Sequence, residues 1–156
     1  MSTGWDRRFM GLAHHLAEWS KESGRRVGTV VVGPANDIRS TGYNGFARGV
    51  NDEIAARHSR ETGAKYFWSC HAEQNAIFNA ARIGVPLEGC RIYVPWFPCV
   101  ECAKAIIQAG IVELIGYEPD FAEPRWGEQF RLVAEMLNEG GVRVRFMERL
   151  MELPTG

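Results

Sequence analysis

Two short segments constrain this chain more than anything else in it. One is Ser-Cys-His-Ala-Glu-Gln-Asn-Ala at residues 69–76, and the other is Phe-Pro-Cys-Val-Glu-Cys at residues 97–102. Together they offer one imidazole (His71), two thiols (Cys99 and Cys102) and one carboxylate (Glu73). Each stands directly ahead of a run with helical periodicity. Cys99 and Cys102 lie three apart, so one helical turn aims both sulfurs at one point. His71 adds a third donor from a second segment. Three protein ligands suit a catalytic zinc, whose fourth position stays open for water. Glu73, two residues past His71, can reach that water without binding the metal. The competing interpretation is a structural zinc site closed by a fourth ligand, with Cys70 as the candidate. Such a site leaves Glu73 without a purpose.

The rest of the chain bounds the setting. A length of 156 residues fits one domain spanning 1–156 and suffices for a proper core. No apolar run approaches the roughly 20 residues that cross a bilayer. The first residues lack the basic start and apolar block of a secretory signal. The four cysteines comprise one metal-type pair and two scattered residues, Cys70 and Cys90, which is no disulfide framework. A reducing cytoplasm is the expected compartment. The net charge of -1 gives no global attraction for nucleic acid.

Along the chain, Phe9, Leu12, Ala13 and Leu16 mark an amphipathic helix over residues 5–22, ended by Gly24. The β-branched run 27–32 and its return over 38–43 predict a hairpin about the turn at 33–37. Residues 46–67 show no sustained period and carry many charges, as a long functional loop would. Helices are expected over 71–82, 99–109 and 127–138, alternating with strands at 91–94, 112–116 and 142–146. The tail from Met147 is expected to pack on the body or on a partner. This order predicts an α/β fold, a three-layer α/β/α sandwich around a mixed five-stranded sheet. The helical crossovers favour parallel pairing among the last three strands.

The combined pattern H-x-E followed by P-C-x-x-C is the signature of zinc-dependent nucleobase deaminases. A lone C-x-x-C or H-x-E says little; the pair, each at a helix start and with Pro98 ahead of the first cysteine, says much. The block H-A-E-Q-N-A-I at 71–77, P-C-x-x-C-A-K-A-I-I-Q-A-G-I at 98–111 and Ser-Thr-Gly-Tyr-Asn-Gly at 40–45 resemble the deoxycytidylate (dCMP) deaminase family, over residues 20–116. The resemblance implies a cytidine deaminase-like fold. It implies Zn2+ on His71, Cys99 and Cys102, with Glu73 as the catalytic proton shuttle. It implies that Asn44 holds the sugar or base, that the Ala72 backbone meets the pyrimidine, and that Lys21 lies near the phosphate. It also implies a homo-oligomer, dimer to hexamer, regulated by a deoxynucleoside triphosphate. The reaction expected is dCMP to dUMP plus ammonia.

Departures bear on the substrate. Pro95 stands where the family has threonine, Ala47 replaces a proline, and Pro95-Trp96-Phe97 is bulkier than usual beside the site. A nucleoside or free base therefore stays open as substrate. A polynucleotide deaminase would need a basic track that the charge balance argues against. A zinc-stabilised, non-catalytic nucleotide-binding module is the remaining alternative. Trp68, Trp96 and Phe97 could stack on a base or simply fill core. His14 and His15 read as ordinary helix residues, His58 as a residue of the charged loop, and Cys90 as a small apolar core residue. Arg48, Arg57, Arg60 and Lys65 could meet a phosphate, although Asp52, Glu53 and Glu61 make a solvated loop the simpler expectation.

Overall fold

The computed structural model describes residues 4–151. Helix α1, Gly4–Ala17, leads into a hairpin of β1, Gly28–Val32, and β2, Ile38–Tyr43. A two-residue strand β3, Gly45–Phe46, follows, then a 3-10 turn at Ala55–His58 and a short helix α2, Lys65–Trp68. Strand β4, Ser69–Cys70, precedes α3, Ala72–Ile83. The remainder alternates: β5, Arg91–Tyr93; α4, Val100–Gln108; β6, Glu113–Gly116; α5, Gly127–Glu139; β7, Arg143–Phe146.

The main sheet has five strands in the order β2-β1-β5-β6-β7. The pairs β1–β2 and β1–β5 are antiparallel, whereas β5–β6 and β6–β7 are parallel. The mixed sheet and the parallel run across the helical crossovers match the sequence-based expectation. Alternation along the strands divides the core. Val31, Ile92 and Leu114 pack toward α3, α4 and α5, while Val30, Val32, Tyr93 and Ile115 pack toward α1. The tail does pack on the body: Met147 is buried in the α1-side core and Leu150 packs against it. The expected domain span of 1–156 and the tail beyond residue 151 extend outside the described residues. No helix is long and apolar enough to cross a membrane among those described.

Two glycines set how closely helices approach the sheet. A Cβ on Gly28 would lie 2.1 Å from the Ala13 carbonyl oxygen of α1. One on Gly42 would lie 2.3 Å from the Ala72 carbonyl oxygen and 2.5 Å from the Ala76 nitrogen. Helix α3 therefore rests on bare β2 backbone. Side chains stitch it there: the Asn75 and Asn79 amides donate to the carbonyls of Tyr43 and Thr41, and the Ser40 hydroxyl donates to that of Ala76. The asparagines lie four apart, one turn of α3, and so reach successive outward carbonyls of the edge strand.

Two boundaries differ from expectation. Helix α1 stops at Ala17, because the apolar periodicity ends at Leu16 and residues 20–22 run off toward the site. The stretch after Asn44 is not wholly irregular, since β3 pairs antiparallel with β4.

Candidate active site

Both predicted donor segments end as helix caps. His71 is the N-cap of α3, with extended backbone (φ -75°, ψ 158°), and Cys99 is the N-cap of α4 (φ -77°, ψ 171°). The Gln74 side chain accepts from the His71 backbone N–H, and Cys99 Sγ accepts from the Cys102 N–H. Because α3 packs on α4, the two positive helix ends converge. Cys102 sits in the first turn of α4, so its sulfur shares the face of Cys99.

The result is one cluster. Cys99 Sγ lies 3.3 Å and Cys102 Sγ 3.5 Å from His71 Nδ1. All three donor atoms fall within 4.8 Å of one another. Tetrahedral zinc with N and S ligands at about 2.0 and 2.3 Å requires N–S separations of roughly 3.5 Å. The donor set therefore fits zinc in both chemistry and spacing. Among the described residues no fourth His, Cys, Asp or Glu joins the group, and Cys70 is not in it.

The thiols divide one proton unequally. A hydrogen bond from Cys102 does most to pull the Cys99 thiol down, to about 4, against burial and with help from His71. The same pairing, together with burial, pushes Cys102 up. The hydrogen bond to Cys99 also raises His71. A metal held by these donors would release the remaining thiol proton. Glu73 is 4% exposed and borders the Cys102 thiol without belonging to the donor group. Burial raises its carboxyl above the ordinary range.

These residues open onto a cleft of about 300 Å³. His71, Ala72, Glu73 and Cys99 line it together with Asn44, Val27, Trp96 and Phe97. Asn44 is held at both ends of its amide: Oδ1 accepts from Val27 N–H and Nδ2 donates to the Arg25 carbonyl. Lys21 is not among the cleft residues. It is paired with Asp52 at 3.0 Å and lines a neighbouring depression of about 170 Å³, together with Glu22, Tyr43 and His58. Trp68 also stands apart, stacked on Phe46 and covered by the Arg57 guanidinium. Arg48 is engaged with Asn79. His14 bonds the Tyr117 hydroxyl, and Cys90 is fully buried, as an apolar residue would be.

Several cleft residues carry no local signal in the sequence. Arg25, Tyr66, Trp126, Gln129 and Phe130 all line it. Lys65 and Arg60, two of the four loop cations considered as phosphate contacts, line it as well.

A zinc-type donor triad at two abutting helix starts, beside a mixed β2-β1-β5-β6-β7 sheet, defines the cytidine deaminase-like class. Residues 3–118 match the model of the cytidine and deoxycytidylate deaminase zinc-binding region. The chain belongs to that family and is therefore an enzyme of the zinc-dependent hydrolase class. It is 39% identical to an uncharacterised deaminase of the luxG 3′ region of Aliivibrio fischeri, over 94% of this chain and 96% of that one. It is 38% identical to the deoxycytidylate deaminase of Homo sapiens, over 90% of this chain and 78% of the relative. The dCMP deaminase of cyanophage S-TIM5, solved in complex with dCMP and dUMP, superposes with a TM-score of 0.72. That match has 24% identity and covers 94% of this chain and 99% of the other. At that identity it speaks for the fold.

Proposed function

We propose that this chain hydrolyses dCMP to dUMP and ammonia at the cleft above His71, Cys99 and Cys102. The observation that carries the reading is a three-donor metal group facing a cleft, with a buried carboxyl beside it that is not a donor. His71, Cys99 and Cys102 would hold the zinc. When bound, zinc supplies an acidified water, with a pKa of about 7. Glu73 takes a proton from the attacking water and passes it to the ring nitrogen of cytosine. The water oxygen bonds to the carbon carrying the amine. Glu73 delivers the second proton to the amine, the C–N bond breaks, and ammonia departs.

Binding follows from the walls. The Ala72 backbone borders the pyrimidine, and Asn44, pinned by Val27 and Arg25, keeps one lone pair and one N–H free for the sugar or base. A nucleotide is favoured over a nucleoside because Arg25 and Arg60 bring positive charge to the cleft, whereas the Lys65 ammonium is already paired with Glu22. Relatives named deoxycytidylate deaminase support the same choice. Exposed Trp19, Phe67 and Ile83 are apolar surface that a homo-oligomer would cover. A cytoplasmic setting belongs to this reading too.

The test is ammonia release from dCMP, CMP, deoxycytidine, cytosine and a short single-stranded oligonucleotide. The expected result is turnover dominated by dCMP. Silence across all five from protein carrying one zinc per chain would defeat the proposal.

A further inference from the structure

Trp96 occupies an unusual place in the cleft. The Arg25 guanidinium lies over its ring, with the guanidinium carbon 3.3 Å from the centroid. Behind it, Trp96 meets Phe130 edge to face at 6.0 Å, and Phe130 meets Phe97 at 5.8 Å. The indole is thus backed by core and cannot turn freely. Pro95 on one side and Phe97-Pro98 on the other stiffen the backbone that carries it.

The guanidinium above the indole has no paired carboxylate among the described residues, and neither has that of Arg60. The two cations are neighbours: the Arg60 guanidinium packs against Gly24, so closely that a Cβ there would lie 2.4 Å from it. The pKa of Arg25 is lowered, first by partial desolvation against the cleft wall, although the side chain is exposed overall, and then by the charge of Arg60. Two like charges facing one cleft without an acid between them are relieved by an anionic ligand.

We infer that Trp96 is a positioning residue that presents Arg25, beside Arg60, to the phosphate end of the substrate, and so sets the preference for nucleotide over nucleoside. The inference rests on the nucleotide reading above. The face of an indole attracts a guanidinium through its quadrupole. It holds the planar fork flat while leaving its N–H edge free for two phosphate oxygens. A lysine in place of Arg25, or an aliphatic side chain in place of Trp96, would keep neither feature.

The experiment compares kcat/KM for dCMP with that for deoxycytidine in zinc-loaded wild type and in three variants. Trp96→Leu and Arg25→Gln are expected to lower the dCMP to deoxycytidine ratio about ten-fold or more, mainly by raising KM for dCMP. Trp96→Tyr, which restores an aromatic face, is expected to hold the ratio within about three-fold of wild type. If Trp96→Leu fails to fold, Arg25→Gln and Trp96→Tyr decide the matter, because Arg25 is exposed and a tyrosine keeps the packing on Phe130. A wild-type preference for dCMP that persists in Arg25→Gln overturns the inference alone. Wild type that turns over deoxycytidine as readily as dCMP overturns the nucleotide reading, and the inference with it.

Discussion

Glu22 is 1% exposed and holds Lys65 at 2.8 Å across the loop that precedes His71. It also accepts the hydroxyl of Ser69 on β4, two residues ahead of His71. Burial alone would raise this carboxyl; the hydrogen bonds from Lys65 and Ser69 outweigh it and hold it below the ordinary 4.5. The sign follows. A depressed folded pKa gives stability that is complete above 4.5 and is lost as pH falls through the lower folded value. Glu22→Gln leaves the buried Lys65 ammonium without its counter-charge and should cost about 3–5 kcal/mol at neutral pH. Urea melts of wild type and variant should differ fully above pH 4.5 and converge as pH falls below it; a gap independent of pH would contradict the assignment. Glu73→Gln tests the buried carboxyl of the cleft: turnover should drop by about 10²–10⁴ while zinc stoichiometry, measured by atomic absorption, stays at one. Sequence could single out Glu73 because its setting is local, two residues from His71 of the donor group. It could not single out Glu22, whose partners come from a distant loop, and the expected helix to residue 22 swallowed it.

Helix α3 carries His71 as its cap and Glu73 in its first turn, so its seating on β2 sets the site's geometry. Gly42→Ala forces a methyl against the Ala72 carbonyl and the Ala76 nitrogen, both backbone, so the helix itself must move. The expected cost is about 1–3 kcal/mol, with a drop in zinc affinity and in kcat. Gly28→Ala makes the corresponding collision under α1, whose residues touch no part of the cleft. It should lower the melting temperature comparably and leave zinc affinity intact. Isothermal titration with zinc separates the two; equal losses of metal affinity would refute this division of labour. At this scale the four longer helices and the five main strands were legible, because each has its own period, although the end of α1 and the short helix α2 were not. The pairing of β3 with β4 was not, since two residues carry no pattern and the ladder depends on Phe46 meeting Ser69 across the loop.

The whole chain divides its work across one sheet. Single strands feed two cores: Val31 and Ile92 serve the side of α3, α4 and α5, and Val30, Val32 and Tyr93 serve the α1 side. The donor triad sits where α3 and α4 start, and α5 closes the cleft with Trp126, Gln129 and Phe130. Sequence spacing made the triad readable, since each half lies within one helical turn. The α5 contribution was unreadable, because its inward stripe looks the same whether it faces core or cleft. The placement of Lys21 beside Asp52, outside the cleft, is likewise a matter of how residues 18–22 leave α1. Removing and restoring the metal tests the central claim most directly. Protein stripped with a chelator should release no ammonia from dCMP, recover in proportion to added zinc and saturate at one ion per chain. The same titration on Glu73→Gln should bind the ion and restore no more than about a hundredth of the wild-type turnover. Full turnover by the stripped enzyme, or recovery above that level in the glutamine variant, would contradict the account.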